Sequence, residues 1–141
     1  MEIVPFKAEH LVGMRLQSGQ AWAQLQIEEA GIRTLEGPNA FTAMDGGYPI
    51  ACAGVAEVEK GRWLAWSYLS DRVNARNFLK VHNEVRRFLH AFSARRIEMV
   101  VDFEFAQGHQ WAEMLGFHCE AALMRKYNAN GSDASLYALV K

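Results

Sequence analysis

The residues of this 141-residue chain that could do chemistry are scattered rather than gathered into a motif. No Ser/His/Asp or Cys/His set is spaced for nucleophilic catalysis, and no HxxxH with a third ligand suggests a metal. Cys52 and Cys119 lie far apart without CxxC spacing, so they read as two ordinary buried thiols of an intracellular chain. Asp102 and Glu104 follow a strand-like run. Open α/β sheets form clefts at strand ends, so Asp102 could move a proton there, or else serve as a helix cap or loop carboxylate. His82 falls inside an apolar stripe and reads as a satisfied core histidine. Trp63 and Trp66 could stack on a ligand, although strand aromatics of this size usually pack. Basic residues do cluster. Arg72, Arg76, Lys80, Arg86 and Arg87 share one stretch, with Arg95 and Arg96 soon after, and they read first as the solvated face of a helix.

These residues belong to an ordinary globular composition, 50% hydrophobic and 22% charged. A net charge of −1 gives no bulk attraction for nucleic acid or anionic lipid. The start, Glu2-Ile3-Val4-Pro5-Phe6, lacks the basic and apolar regions of a signal peptide. No apolar run approaches the roughly 20 residues of a membrane span. The expectation is a single cytoplasmic domain, residues 1–141, binding neither nucleic acid nor membrane.

The elements that must position the candidates follow from periodicity. A short strand from Glu2 to Phe6 precedes a helix carrying Leu11 and Met14, stopped by Ser18-Gly19. A second helix carries Trp22, Leu25 and Ile27 and ends near Gly31 or runs on toward Leu35. Three strands follow. The first holds Phe41 and Ala43 and turns at Asp45-Gly46-Gly47; the next, Tyr48 to Val58, reads as covered on both faces; the third is Arg62 to Leu69. Phe78, Val81, His82, Val85, Phe88, Leu89 and Phe92 form one stripe on a helix of about five turns, capped by Asn74 or Asp71. Arg96 to Asp102 is then a strand, and a strand–helix–strand crossover places its two strands parallel. A helix with Trp111, Met114 and Leu115 stops at Gly116-Phe117. Strands from His118 to Tyr127 and Leu136 to Val140 close the chain through Asn128-Ala129-Asn130-Gly131. The fold class is α/β (α+β), a mixed, mostly antiparallel sheet of about seven strands with four helices. The order is β-α-α-β-β-β-α-β-α-β-β.

At this length that order resembles the GNAT superfamily of N-acetyltransferases over nearly the whole chain. The sharpest local match is Gly108-His109-Gln110-Trp111-Ala112-Glu113-Met114-Leu115-Gly116-Phe117, similar to the family's fourth helix, which ends in Gly-Phe before the sixth strand. Gly suits the left-handed residue that ends a helix. The meander around Trp63 and Trp66, Val85-Arg86-Arg87-Phe88-Leu89 and Gly108-His109-Gln110-Trp111 together resemble short GNAT-like proteins of tailed phages and prophages. The internal virion protein A-like proteins of T7-type phages are among these, in which case the cytoplasm is the host's.

The resemblance implies acyl-CoA, acetyl-CoA in the first instance, as cosubstrate. In the family it lies between two splayed parallel strands with its pyrophosphate on the N-terminus of the helix between them, where unpaired N–H groups and the helix dipole favour anions. The family signature resembles Q/R-x-x-G-x-G/A. Here the stretch is Ser70-Asp71-Arg72-Val73-Asn74-Ala75-Arg76-Asn77, which contains no glycine. One alignment matches only Ala75; another starts at Arg72 and puts Ala75 and Asn77 at the glycine positions. The expected cofactor-binding set is Leu69, Ser70, Arg72, Val73, Asn74, Ala75 and Arg76. N–H groups from Val73 to Arg76 would cradle pyrophosphate, and Arg72 or Arg76 would add charge. Asp71 counts against this site, and the alternative is a plain helix start whose arginines face water.

The implied reaction is attack of an amine on a thioester, needing a base for the ammonium and an acid for the leaving thiolate. The family's tyrosine acid falls on Ala112, so it is absent. His109 and Tyr127, placed on the sixth strand, are the neighbouring candidates, against an exposed helix residue and a packing residue respectively. Glu57 on the third strand, Asp102 and Glu104 are candidate bases. Two functions stand open: an acyl-CoA-dependent N-acyltransferase acting on a small-molecule or protein amine, or a catalytically inactive GNAT-like protein binding a host or phage protein. Edge strands leave room for a homodimer by fold analogy.

Overall fold

The structure, a computed structural model, describes residues 1–20 and 29–141. Trp22, Leu25 and Ile27, expected on the second helix, lie outside the described residues. The elements are β1 (Glu2–Pro5), α1 (Ala8–Val12), a 3-10 turn (Ser18–Gln20), α2 (Glu29–Arg33), β2 (Ala40–Asp45), β3 (Tyr48–Glu59) and β4 (Arg62–Leu69). Then come α3 (Ala75–Ala91), β5 (Arg96–Asp102), α4 (Ala106–Met114), β6 (His118–Met124) and β7 (Ala134–Val140). The strands form one sheet in the order β1-β2-β3-β4-β5-β7-β6. The β4–β5 pair is parallel, as the crossover through α3 requires, while β1–β2, β2–β3, β5–β7 and β6–β7 are antiparallel. Seven strands and, among the described residues, four α-helices appear in the expected order.

Contacts divide the chain into two compact units, Met1–Ala56 with Trp66–Ala91, and Glu57–Ala65 with Phe92–Lys141. In the first, Phe6, Leu11, Met14, Leu16, Ile32, Ala40 and Cys52 form a core against which Trp66 and Tyr68 pack. Trp66 meets Phe6 edge-on with ring centroids 5.2 Å apart, so it is a packing residue. Ile50, Ala51 and Cys52 are all buried, which matches a strand covered on both faces. On α3 the stripe turns inward while Arg76, Lys80, Arg86 and Arg87 are exposed, the solvated face expected of them. His82 is buried and stacks on Phe78. Burial, and secondarily Arg86, lowers its pKa.

In the second unit Ile97, Val101, Trp111, Ala112, Phe117, Tyr137 and Ala138 are buried. Trp63 packs on Phe92 at 4.8 Å. Gly116 ends α4 at φ +95°, the left-handed residue anticipated there, and Phe117 enters the core behind it.

Four expectations are corrected. Cys119 is exposed, because β6 is an edge strand with most of its residues open to solvent; only Cys52 is buried, and burial pushes its thiol up to about 11. Arg96 is no part of a helix face: it sits on β5 and pairs with Glu98 and Glu120. β6 stops at Met124 because Lys126 takes φ 54°, which an extended strand does not allow, so Tyr127 lies in the following loop. β7 begins at Ala134, two residues early, and Asn130-Gly131 belongs to a longer loop closed by Asn128 and Ser132.

Candidate functional site

The stretch from Leu69 to Arg76 lies within the first unit, carrying the chain from the end of β4 into α3. The turn is built by Ser70. Its carbonyl accepts from Val73 N–H at 3.2 Å and its hydroxyl from Arg72 N–H at 3.1 Å. Asn74 caps the helix in a reciprocal pair. Asn77 N–H donates to Asn74 Oδ1 at 3.0 Å, and Asn74 N–H to Asn77 Oδ1 at 2.7 Å. This is a capping box made from two asparagines. Of the four N–H groups expected to cradle an anion, those of Val73 and Asn74 are thus engaged within the turn. Those of Ala75 and Arg76, first in the helix, have no intrahelical acceptor by geometry. The Arg72 and Arg76 side chains are exposed beside them.

Next to the loop is a cavity of about 410 Å³ lined by Gly13, Met14, Arg15, Tyr48, Ser70 and Arg72, with Pro49 and Asp71. Arg72 lies over the Tyr48 ring, 4.3 Å from its centroid. Asp71, which counted against an anion here, is engaged with Arg15 at 3.3 Å. Sequence reasoning missed Arg15 and Tyr48, because only the fold brings them to this loop.

The edge of β4 turned away from β3 was also missed. Ser70 N–H donates to Ile50 of β3, so Ser67 and Leu69 present their backbone groups on the opposite edge. The parallel register with β5 covers Arg62, Trp63 and Leu64 only. Farther along, residues 15–20 occupy that edge. Leu16 bridges Ser70 in antiparallel fashion, with Gln17 N–H donating to Leu69 O at 2.9 Å and Asp71 N–H to Arg15 O at 2.8 Å. Gln20 Oε1 accepts from Leu69 N–H, and its Nε2 donates to Ser67 O, both at 2.9 Å.

The acid and base candidates belong to the second unit. Glu57 is exposed on β3, and Tyr127 is exposed in its loop. Asp102, at the end of β5, accepts from Asn128 Nδ2 and Ser132 Oγ, each at 3.2 Å, and so ties down the β6–β7 loop. Both bonds fall on Oδ1; neither uses Oδ2. Glu104 is exposed. Among the described residues no hydrogen bond joins Glu57, Asp102 and Tyr127 to one another. His109 is held at both ring nitrogens, by Phe103 O and by the Tyr137 hydroxyl, each at 2.8 Å. A carbonyl only accepts, so Nε2 carries a proton, and in the neutral ring Nδ1 accepts from the Tyr137 hydroxyl. Tyr137 is buried, and that burial raises its pKa. Among the described residues no three His, Cys, Asp or Glu side chains converge as a metal site would need. None of the described helices is long and apolar enough to cross a membrane.

No protein-family model and no curated protein matches the chain. Solved structures do. Ard1 from Thermoplasma volcanium superposes with a TM-score of 0.77 at 13% identity, covering 99% of this chain and 96% of that one. An acetyltransferase of the GNAT family from Streptococcus pneumoniae gives 0.72 at 12%, covering 99% of each. An aminoglycoside 6'-N-acetyltransferase complexed with coenzyme A gives 0.72 at 11%, covering 99% and 97%. At these identities the likeness establishes architecture, and the chain has the fold of the GNAT acetyltransferases.

Proposed function

We propose that this chain binds an acyl-CoA at the β4–α3 loop and transfers its acyl group to a small-molecule or protein amine. The observation that carries the reading is the start of α3. Two helix-terminal N–H groups, of Ala75 and Arg76, stand beside two exposed guanidiniums; of the carboxylates nearby, Asp71 pairs with Arg15 and Asp45 accepts from Asn77 Nδ2 at 3.4 Å. That set fits a pyrophosphate without the family's glycines. A structural neighbour crystallised with coenzyme A supports it. The cosubstrate supplies a thioester that an amine can attack. Leu69, Ser70, Arg72, Val73, Asn74, Ala75 and Arg76 form the binding segment. Glu57 and Asp102, the latter through Oδ2, are the bases to test, and Tyr127 is the acid.

Calorimetric titration with acetyl-CoA and CoA tests this reading. Replacing both Arg72 and Arg76 by alanine is expected to weaken binding about tenfold or more, the scale of losing charge-assisted contacts. The remaining affinity should depend less on salt. No heat and no thermal shift at millimolar ligand would end the proposal.

A second reading is a non-catalytic GNAT-like protein, phage-encoded and cytoplasmic, that binds a host or phage protein. It is favoured by Asp102's engagement in the β6–β7 loop and by the missing tyrosine at Ala112. Under this reading Asp102→Asn loosens the loop and leaves no activity to lose. Turnover that disappears in Asp102→Asn or Glu57→Gln while the fold persists decides for the enzyme.

A further inference from the structure

Residues Arg15 to Gln20 treat the far end of β4 as a docking strip. Four successive groups on that edge, Ser67 O, Leu69 N–H, Leu69 O and Asp71 N–H, all bond to this one segment. Its two halves are anchored very differently. Leu16 is 5% exposed in the core and Arg15 pairs with Asp71. The Ser18–Gln20 turn contributes no buried residue, and Gln17, Gly19 and Gln20 are half-buried. Burial of a leucine outweighs a few solvent-accessible hydrogen bonds, so Gln17–Gln20 peels away more easily than Leu16 does.

We propose that Gln17–Gln20 is a displaceable plug on the ligand edge of β4, and that acyl-CoA binds only when the plug lifts. The proposal rests on the acyl-CoA reading above. The arm of coenzyme A between thiol and pyrophosphate is an extended chain carrying two secondary amides. Such a chain pairs with a strand edge as another strand does, through main-chain donors and acceptors. The Gln20 carboxamide imitates that pairing, with its oxygen on Leu69 N–H and its nitrogen on Ser67 O. Gln17 Nε2 donates to the same Gln20 Oε1 at 3.1 Å and holds it in place. Lifting the plug releases Ser67 O and both backbone groups of Leu69, and leaves the Arg15–Asp71 pairing intact. Apparent affinity for CoA is therefore reduced by the fraction of molecules in which the plug is down.

The experiment titrates CoA into the full chain, its Gln20→Ala variant and its Gln20→Glu variant, and follows amide exchange at Gln17 and Leu69. Gln20→Ala removes three hydrogen bonds, two to β4 and one from Gln17, from a turn that contains no fully buried residue, so CoA is expected to bind about tenfold more tightly. Gln20→Glu keeps the acceptor for Leu69 and sets a carboxylate against Ser67 O, for a gain of about two- to threefold. In the unsubstituted chain, CoA should speed Gln17 exchange at least tenfold by taking its acceptor, while Leu69 stays protected by the ligand. If CoA binds all three chains equally and Gln17 stays protected, the plug is overturned and the acyl-CoA reading stands. If CoA binds none of them at millimolar concentration, both fall together.

Discussion

Gly54→Ala is expected to lower stability by about 2–4 kcal/mol, the range of core overpacking that backbone cannot relieve. Gly54 lies mid-β3, opposite Ala40 of β2. A Cβ there would stand 2.6 Å from Asn39 O, 2.9 Å from Ala40 Cα and 3.0 Å from Ala40 Cβ. Two of these atoms are backbone, and Asn39 O also accepts from Val55 N–H at 3.0 Å, so moving it breaks the pairing it belongs to. Gly108 on α4 is the control. An added Cβ meets Phe105 Cδ2 and Val101 Cγ1, both at 2.7 Å, but these are side-chain atoms rather than backbone. Gly108→Ala should therefore cost about 1 kcal/mol, since helix propensity returns part of the strain. Urea denaturation of both variants checks the ranking. A Gly54→Ala midpoint at or above that of Gly108→Ala would show that β2 yields where the contacts say it cannot.

That contrast shows what a sequence can reveal. The fold was legible wherever a period persisted. The stripe on α3, the long apolar β3 and the Gly116-Phe117 helix end each imposed one local answer, and the answers agreed. Positions where the partner is distant in sequence were not legible. Nothing in Gln17-Ser18-Gly19-Gln20 signals that it docks on β4, because those hydrogen bonds span about fifty residues and have no periodicity. The α3 start was found, but its N–H groups were over-counted. Asn74 and Asn77, three apart, carried the signal of a reciprocal cap that engages Asn74 N–H, and that spacing resembles a capping box. Tyr127 was placed on a strand because no glycine or proline marks the break after Met124; Lys126 itself adopts the positive φ. Cys119 was expected inside as an ordinary thiol without CxxC spacing, yet β6 is a sheet edge. Glu98, a carboxylate within β5, is only 8% exposed.

Glu98 is where the other large effect is expected. Parallel register sets Arg62 of β4 level with Arg96 of β5, two like charges directly across a ladder. Glu98, two residues on, projects from the same face as Arg96. Its Oε1 accepts from Arg62 Nε and Arg96 Nε, each at 2.7 Å, and Oε2 takes a second Arg62 bond at 3.2 Å. Glu120 of β6 holds Arg96 from the other side. Hydrogen bonding to Arg62 first, then to Arg96, outweighs burial and holds the Glu98 carboxyl at about 2, down from its ordinary 4.5. Glu98→Ala leaves Arg62 and Arg96 facing each other. Their side chains are 36% and 23% exposed and recover some hydration, so the expected loss is about 2–3 kcal/mol, below that of a fully buried pair. The pH dependence has a definite sign. A carboxyl with a lowered folded pKa is protonated more readily when unfolded, so its contribution is complete above about 4.5 and is lost as pH falls toward 2. Denaturation series between pH 6 and 2, run on both chains, should therefore converge as acid is added, the parent losing stability faster than Glu98→Ala. Parallel curves would mean that Glu98 titrates alike in the folded and unfolded chains, and that the two arginines do not depend on it to share one ladder.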